Sequence, residues 1–318
     1  MKYCIGVDLG GTNIAAGLVD FGTHEILRKL SVKTNAPRPC EEISTDIAKL
    51  ARRLCKEQGI SLSSVAWVGV ATPGIVKNET VLTATNLGWT NEPLGVLLSR
   101  QLGRPSYIAN DANAAAYAEA MWGVGQGTSS LVELTLGTGV GGGIIIDGKI
   151  YSGSNYAGGE LGHTVINMNG EMCTCGRHGC WEAYASATAL INQTKQAMHR
   201  YPDSIMWKLC DGDINNVSGI TAFNAMRNND PIGRMVVDRY CEYVAVGISN
   251  IINIFQPDIL CIGGGISKEG DTLINPIKAY VEGENYARNI SKNTEIKTAA
   301  LGNDAGIIGA AYLHELYK

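Results

Sequence analysis

Short apolar runs alternate with turn glycines in the first part of the chain, which is the pattern of neighbouring strands in one sheet. They predict three strands, at 3–8, 13–19 and 25–32. A helix is predicted over 41–57, and an apolar run at 65–71 follows it. A short strand at 106–109 then leads into an alanine-rich helix after Asp111. This succession predicts an α/β lobe.

The strand-then-helix theme repeats from about residue 118. Strands at 130–136 and 141–147 are expected to form a hairpin around a glycine-dense loop. Later elements are predicted as helices at 183–200 and 230–255, a strand at 259–262 and a helix beginning near Asp304. The order of these elements predicts two α/β lobes.

The predicted small lobe comprises residues 1–117 together with a returning C-terminal helix at 304–318, and the large lobe comprises 118–303. Composition agrees with an α/β enzyme rich in tight turns, because glycine occurs 39 times among 318 residues. No uninterrupted apolar stretch of about 18 residues occurs, and the first residues lack a signal-peptide layout. We therefore expect a cytoplasmic protein with no membrane association.

The charge of the chain bears on its possible partners, and its cysteines bear on the redox compartment. The formal charge is −4, and no lysine or arginine cluster of the kind that binds phosphate backbones is present, so nucleic acid is not an expected partner. Nine cysteines is an odd number, and three of them lie between positions 173 and 180. This distribution favours a reducing compartment over a framework of disulfides.

Three glycine clusters lie at the ends of predicted strands, at 8–13, 136–143 and 262–267. Glycines in such loops can aim backbone N–H groups at an anion. Alone, the first cluster is equally compatible with an ordinary hairpin turn. Three clusters together favour phosphate binding, although neither a P-loop nor a dinucleotide fingerprint is present.

The three clusters resemble the phosphate and adenosine motifs of the actin-like ATPase superfamily, whose ribonuclease H-like lobes enclose ATP and Mg²⁺ in a cleft that holds the active site. The resemblance implies that Asp8 positions magnesium through water and that the first loop approaches the transferred phosphate. The residues to which these nucleotide-binding roles are carried over are Asp8, Gly10, Gly11, Thr12, Asn13, Gly137, Thr138, Gly139, Gly264 and Gly265.

A cysteine- and histidine-rich segment predicts a metal site. His163, Cys173, Cys175 and Cys180 follow the pattern H-x9-C-x-C-x4-C, which offers one nitrogen and three sulfurs for tetrahedral zinc. Four protein ligands leave no open position, so this Zn²⁺ is expected to be structural. The alternative is a set of free thiols or a disulfide, and the C-x-C spacing is poor for an unstrained bridge.

The segments 160–163 and 173–182 match the signature of the ROK family, which is named for repressors, open reading frames and sugar kinases, and matching motifs run from 8 to about 306. Segments 85–89, 110–113 and 181–186 resemble those of the family's bacterial glucokinases. The resemblance implies transfer of phosphate from ATP to a hexose, most simply glucose to glucose 6-phosphate, in carbohydrate metabolism. Homodimers or homotetramers are expected on the same ground.

Phosphoryl transfer to a hydroxyl needs a carboxylate that accepts the proton. Asp111 follows an apolar strand and begins a helix, and a role as a mere helix cap is its alternative. The family resemblance implies that Asp111 is the general base and that Asn110 hydrogen-bonds the sugar.

Further polar residues are candidates for the sugar site: Gly74, Asn86, Glu160, His163 and Glu182. Each has a plainer alternative, with Glu160 as a surface carboxylate, His163 as a zinc ligand only and Glu182 as a charge in the first turn of a helix. If zinc bound one ring nitrogen of His163, the other would be a fixed N–H donor.

Two competing functions stay open. Kinases for N-acetylmannosamine, fructose or allose share the pattern from Glu160 to Glu182. A sugar-responsive repressor shares the sugar lobe, but it carries a DNA-binding helix-turn-helix before the phosphate loop, which here starts at Asp8.

Overall fold

The computed structural model describes residues 2–284, 286, 287, 289 and 293–317. Its strands are β1 Tyr3–Leu9, β2 Asn13–Asp20, β3 Ile26–Lys33, β4 Val65–Thr72, β5 Ile75–Lys77, β6 Thr80–Ala84, β7 Trp89–Glu92, β8 Ser106–Asn110, β9 Ser130–Leu136, β10 Val140–Ile146, β11 Lys149–Ile150, β12 Ile259–Gly263 and β13 Glu295–Thr298. Its helices are α1 Cys40–Glu57, α2 Leu94–Leu102, α3 Asp111–Trp122, α4 Glu182–Ala185, α5 Ala187–Arg200, α6 Met206–Leu209, α7 Thr221–Arg227, α8 Pro231–Phe255, α9 Asp271–Glu284 and α10 Ala305–Tyr312.

The chain divides into two compact units. Unit 1 consists of Met1–Ser130, Gly143–Gly159 and Ala300–Lys318, and unit 2 consists of Leu131–Gly142 and Glu160–Ala299. The lobe boundary expected at 117/118 lies inside α3, and the functional division into lobes stays a prediction.

Unit 1 is built on a five-stranded sheet of order β3-β2-β1-β4-β8. The first two pairings are antiparallel, whereas β1, β4 and β8 run parallel. Asp8 pairs with Ala71 and Thr72 pairs with Asn110, so the carboxyl ends of the three parallel strands meet at one edge. Asp8 and Asp111, which are expected to take part in the chemistry, therefore lie at the same edge of the sheet.

Helix α10 packs against this sheet at very short range. A side chain at Gly6 would overlap the Ile307 carbonyl, and one at Gly69 would overlap the Ala310 carbonyl. Glycine is required at both positions because the helix backbone touches the strand backbone directly. On α1, the buried residues Ile43, Ile47 and Leu54 follow a helical period and join the apolar core.

The second sheet has the order β11-β10-β9-β12-β13. Strands β9 and β12 are parallel, with Leu131 opposite Ile259 and Thr135 opposite Gly263, so both end at the same edge. Helix α8 begins at an Asp230 cap, whose Oδ1 accepts the N–H groups of Ile232 and Gly233 at 2.8 and 2.7 Å. The fully buried Trp181 lies against Gly247 of this helix, where a side chain would overlap the indole ring.

Most strands and helices predicted from the pattern are confirmed to within a few residues, among them β1, β2, β9 and β12. The single helix predicted over 183–200 is wrong, because α4 and α5 are separated at Ser186. Ser186 has an extended backbone and its Oγ accepts the Ala189 N–H at 3.0 Å, which starts a new helix. Among the described residues, no helix is both long and apolar enough to cross a bilayer.

Candidate functional site

Two carboxylates approach each other at the strand edge of unit 1. Asp8 is the penultimate residue of β1, and Asp111 opens α3 directly after β8. Both are partly buried. Burial, and to a smaller extent the nearby Asp111 carboxylate, raises the pKa of Asp8 to about 6, while the Lys29 ammonium opposes the rise. The edge therefore favours a cation or a proton near these groups.

Asp111 combines a desolvated carboxylate with a defined orientation. Burial raises its pKa above the ordinary aspartate value, while the Ala112 N–H, donated to Oδ1 at 2.8 Å, opposes that rise. The helix cap is not Asp111 but Asn110, whose Oδ1 accepts the Asn113 N–H at 3.1 Å. The cap alternative for Asp111 is therefore wrong, because the preceding residue has that function.

Asn110 and Gly74 are in direct contact. The Asn110 Nδ2 donates to the Gly74 carbonyl at 3.0 Å, so this side chain fixes the loop after β4 as well as the start of α3. Gly74 has φ +94°, and a side chain there would overlap the Thr83 carbonyl. The Asn110 side chain also hydrogen-bonds the Asp111 carboxylate, which lowers the pKa of Asp111 and so opposes the effect of burial.

The first glycine loop is a tight turn between β1 and β2. Gly10 N–H donates to the Asn13 carbonyl at 2.9 Å, and the Thr34 hydroxyl donates to the Gly10 carbonyl at 2.6 Å. A side chain at Gly11 would lie 3.6 Å from the Asn86 Cβ. The loop that carries Thr12 is therefore held by Thr34, which lies outside the β1–β2 hairpin, and Asn86 lies beside this loop.

The sequence analysis missed two residues of unit 1 that make close internal contacts, and one of them lies at this edge. A Cβ on Gly306 of α10 would lie 2.9 Å from the Asp8 Cγ, so only glycine leaves room for the carboxyl group. Glu119, near the end of α3, is fully buried. Its Oε1 accepts the Leu301 N–H at 2.6 Å and its Oε2 accepts the Val124 N–H at 3.1 Å. No local sequence signal reveals these partners.

In unit 2 the other two glycine loops lie side by side, because the parallel strands β9 and β12 end together. Gly264 has φ +85° and would overlap the Leu136 carbonyl if it carried a side chain. Gly265 faces open space, and the Ser267 hydroxyl donates to the Gly264 carbonyl at 2.8 Å. In the first of the two loops, the Gly137 N–H donates to the Gly139 carbonyl at 3.0 Å, and Thr138 is exposed.

The predicted metal ligands come together in unit 2. The ligand atoms of His163, Cys173, Cys175 and Cys180 all lie within 4.8 Å of one another. The His163 Nδ1 is 3.6 Å from the Cys173 Sγ, and the Cys175 and Cys180 Sγ atoms are 3.6 Å apart. Tetrahedral ligands with bonds of about 2.0–2.3 Å are roughly 3.5–3.8 Å apart. The two separations of 3.6 Å are therefore those expected of ligands that share a four-coordinate metal.

The thiols of the cluster differ in their electrostatics, because burial and the neighbouring thiols raise the pKa of Cys180 to about 12. The Arg177 backbone N–H lowers the pKa of the Cys175 thiol. His163 faces Cys173 with its Nδ1, which leaves Nε2 on the other side of the ring.

Both carboxylate oxygens of Glu182 accept hydrogen bonds from other residues of unit 2. Its Oε2 accepts the Val140 N–H at 3.0 Å, and its Oε1 accepts the Thr174 hydroxyl at 3.2 Å. Glu160 is exposed, and its carbonyl accepts the His163 N–H at 3.1 Å. The roles predicted for these side chains in sugar binding, and for the glycine loops in nucleotide binding, stay predictions.

The parallel strand edge bearing Asp8 and Asp111 and the paired glycine loops after β9 and β12 are features of the actin-like ATPase fold. This class is shown by a crystal structure of a ROK family glucokinase from Streptomyces griseus in complex with glucose and AMPPNP, which superposes with a TM-score of 0.83 at 35% identity and 98% coverage of both chains. The sequence profile of the ROK family matches residues 4–316, so the chain belongs to the ROK family.

Relatives within the family have more than one activity. A glucokinase from Halalkalibacterium halodurans is 36% identical over 316 residues, which cover 98% of this chain and 94% of the relative. A xylose repressor from Bacillus spizizenii is 28% identical over 311 residues, which cover 96% of this chain and 75% of the repressor. The family resemblance expected from the motifs is thus confirmed.

Proposed function

We propose that this chain transfers the γ-phosphate of ATP to a hexose and that glucose is its substrate, giving glucose 6-phosphate. The observation that carries the proposal is the pair of desolvated carboxylates, Asp8 and Asp111, at the ends of β1 and β8, the two strands that flank β4. Full-length similarity to the H. halodurans glucokinase and to the S. griseus enzyme that binds glucose and AMPPNP supports it.

Asp111 is the proposed general base for the attacking sugar hydroxyl. The raised pKa of Asp111 makes its carboxylate a better proton acceptor than that of an exposed aspartate. The Ala112 N–H donates to Oδ1, and this hydrogen bond fixes the carboxylate so that the position of Oδ2 is defined. Asn110 and Asn86 are proposed to hydrogen-bond sugar hydroxyls, and Gly74, whose carbonyl accepts from Asn110, is proposed to line the same site. The second carboxylate, Asp8, is proposed to hold the Mg²⁺ that accompanies ATP through water.

The nucleotide is proposed to use backbone N–H groups of three loops. Gly10, Gly11, Thr12 and Asn13 would bind the transferred phosphate, Gly137, Thr138 and Gly139 the remaining phosphates, and Gly264 with Gly265 the adenosine. The positive φ of Gly264 and the open space beside Gly265 support this assignment.

The four-ligand cluster is proposed to hold a structural Zn²⁺, because one nitrogen and three sulfurs at these separations suit that ion. The ion would supply stability and a fixed imidazole. His163 would then present its Nε2–H to the sugar, with Glu160 accepting from a second hydroxyl. The cytoplasmic location and the homodimeric or homotetrameric state expected from the family also remain predictions.

A panel assay tests the proposal. Purified protein is given ATP, Mg²⁺ and one sugar at a time from glucose, fructose, allose, mannose and the N-acetylhexosamines, and ADP release is followed. We expect the highest kcat/KM with glucose. Higher kcat/KM with another sugar would move the assignment to that substrate. Sugar binding without ADP release from any sugar would favour the ligand-binding behaviour of a repressor and would overturn the kinase proposal.

A further inference from the structure

A short segment between β3 and α1, residues 34–38, holds the first glycine loop of unit 1. Thr34, the first residue of this strap, is fully buried. The Thr34 hydroxyl donates to the Gly10 carbonyl at 2.6 Å, and the Thr34 N–H donates to the Thr12 carbonyl at 2.9 Å. A single residue outside the loop therefore engages two of the loop's carbonyls.

These two hydrogen bonds fix the direction of two N–H groups. In a planar trans peptide the C=O and the N–H of the following residue point in opposite directions. The N–H groups of Gly11 and Asn13 therefore point away from Thr34. In the part of the chain that the structure describes, the Gly11 N–H donates to no other group. Thr12 and Asn13 are exposed, so a solute can reach the loop.

Arg38, at the other end of the strap, keeps Thr34 in place. The Arg38 Nε–H donates to the Thr34 carbonyl, and Nη2 donates to the Asp46 Oδ2 of α1, both at 2.6 Å. The Arg38 carbonyl accepts the Nε1–H of the buried Trp89 at 2.9 Å. The strap is therefore tied to α1 and to β7 as well as to the glycine loop.

We infer that Thr34 is a positioning residue that directs the N–H groups of Gly11 and Asn13 toward the phosphoryl group to be transferred. An N–H group whose direction is set in advance binds an anion without a further loss of loop freedom. Thr34 does not contact the nucleotide and acts only through the loop. The inference rests on the proposed function, since it takes residues 10–13 to bind the transferred phosphate.

A plainer role of Thr34 would be to stabilise the fold, because its hydroxyl also satisfies a carbonyl group. The two roles predict different results with ATP and ADP. ADP lacks the phosphoryl group that this loop is proposed to bind, so a positioning residue affects the affinity for an ATP analogue and not that for ADP. A residue that only stabilises the fold affects both affinities alike or neither.

The test measures the Kd of a non-hydrolysable ATP analogue and of ADP by calorimetry, each with Mg²⁺ and without sugar. Thr34→Val loses the hydroxyl, and we expect it to raise the Kd of the ATP analogue about two- to tenfold, the range for one hydrogen bond. The ADP Kd should stay unchanged. Thr34→Ser keeps a hydroxyl and should restore most of the affinity for the ATP analogue.

Thr194→Val is the matched control. Thr194 is a fully buried threonine of α5 in unit 2, and its hydroxyl also donates to a backbone carbonyl, that of Leu190, at 2.7 Å. Both Kd values should stay unchanged in this variant. Thermal melts establish that each variant is folded.

Arg38→Lys gives an independent comparison, which also applies if Thr34→Val does not fold. It keeps a positive charge near Asp46 but loses the Nε–H that the Thr34 carbonyl accepts. The Kd of the ATP analogue should rise, by less than in Thr34→Val, and the ADP Kd should stay unchanged. Equal changes in the two Kd values, or no change in either, in the folded variants would overturn the inference and leave the kinase proposal intact. An unmodified chain that binds neither nucleotide would overturn both.

Discussion

The carboxylates of the two units differ in how their charge is accommodated. In unit 1, burial raises the pKa of both Asp8 and Asp111, and the Asp111 carboxylate also raises the pKa of Asp8. In unit 2, both oxygens of Glu182 accept hydrogen bonds, from Val140 and Thr174. A desolvated carboxylate gains from binding a proton or a cation, whereas one engaged by donors gains mainly by staying in place. The comparison separates groups suited to chemistry from groups suited to positioning.

The largest effect expected concerns the charge of Asp111. Asp111→Asn keeps the shape of the side chain but cannot accept the sugar proton well, so kcat should fall by a factor of about 10²–10⁴ while glucose affinity stays nearly unchanged. Steady-state kinetics and equilibrium sugar binding measure the two quantities. Near-normal turnover in this variant would remove Asp111 from the role of base.

The cysteine cluster in unit 2 provides the next effect. Purified protein should contain about one zinc per chain, and Cys175→Ala should lower metal affinity at least tenfold because one of four ligands is lost. Elemental analysis and a thermal melt follow the loss of metal and of stability, and sugar phosphorylation should be lost with them. Cys210→Ala is a matched control, since Cys210 is a buried cysteine of unit 2 outside the cluster. Equal metal content in both variants would contradict the zinc assignment.

Glu119 sharpens the comparison, because it lies in unit 1 but both of its oxygens accept hydrogen bonds, as those of Glu182 do. Glu119→Ala leaves the N–H groups of Leu301 and Val124 without their acceptor, and should lower the free energy of unfolding by about 2–4 kcal/mol. Urea denaturation measures the loss. Glu57→Ala, which removes surface ion pairs with Arg28 and Arg53, should cost less than about 1 kcal/mol. Similar losses in the two variants would show that the Glu119 bonds are not important for stability.

The smallest effect expected is a change in pKa at Asp8. Asp111→Asn removes a like charge, so the pKa of Asp8 should fall from about 6 but stay above the ordinary value near 3.9, because burial is the larger cause. Carbon-13 NMR titration of the Asp8 carboxyl group measures it. A pKa that does not move would show that the two carboxylates are not electrostatically coupled.

The same raised pKa has a consequence for stability. The folded state binds the Asp8 proton more tightly than the unfolded state does. This group's contribution to the free energy of unfolding is therefore full below about pH 4, and it is lost as the pH rises through about 6. Asp8→Asn should remove that part of the pH dependence, as urea denaturation at a series of pH values would show.

Local patterns predicted the parts of the site that depend on neighbouring residues. The glycine loops follow strands whose apolar runs are visible in the sequence, and the cysteine spacing alone indicated the metal cluster. The interruption at Ser186 was not predictable in this way, because the surrounding alanines favour helix on both sides and the break depends on one side-chain cap.

Residues whose function depends on distant partners were missed. Glu119 meets Leu301, which lies 182 positions away, and Gly306 meets Asp8 across almost the whole sequence. Nothing in the adjoining sequence of either residue indicates those contacts. The hydrogen-bonding partners of Glu182, Val140 and Thr174, become visible only when the loops are folded, and its predicted role in sugar binding stays a prediction.

The close contact of α10 with β1 has a further consequence for biosynthesis. Asp8 leaves the ribosome nearly three hundred residues before Gly306, which lies against its carboxyl group in the folded chain. A nascent chain that has not reached α10 leaves the strand edge uncovered and Asp8 hydrated. Translation thus delays the electrostatic environment of the aspartate pair until synthesis has passed α10, and a chain interrupted before that helix would lack it.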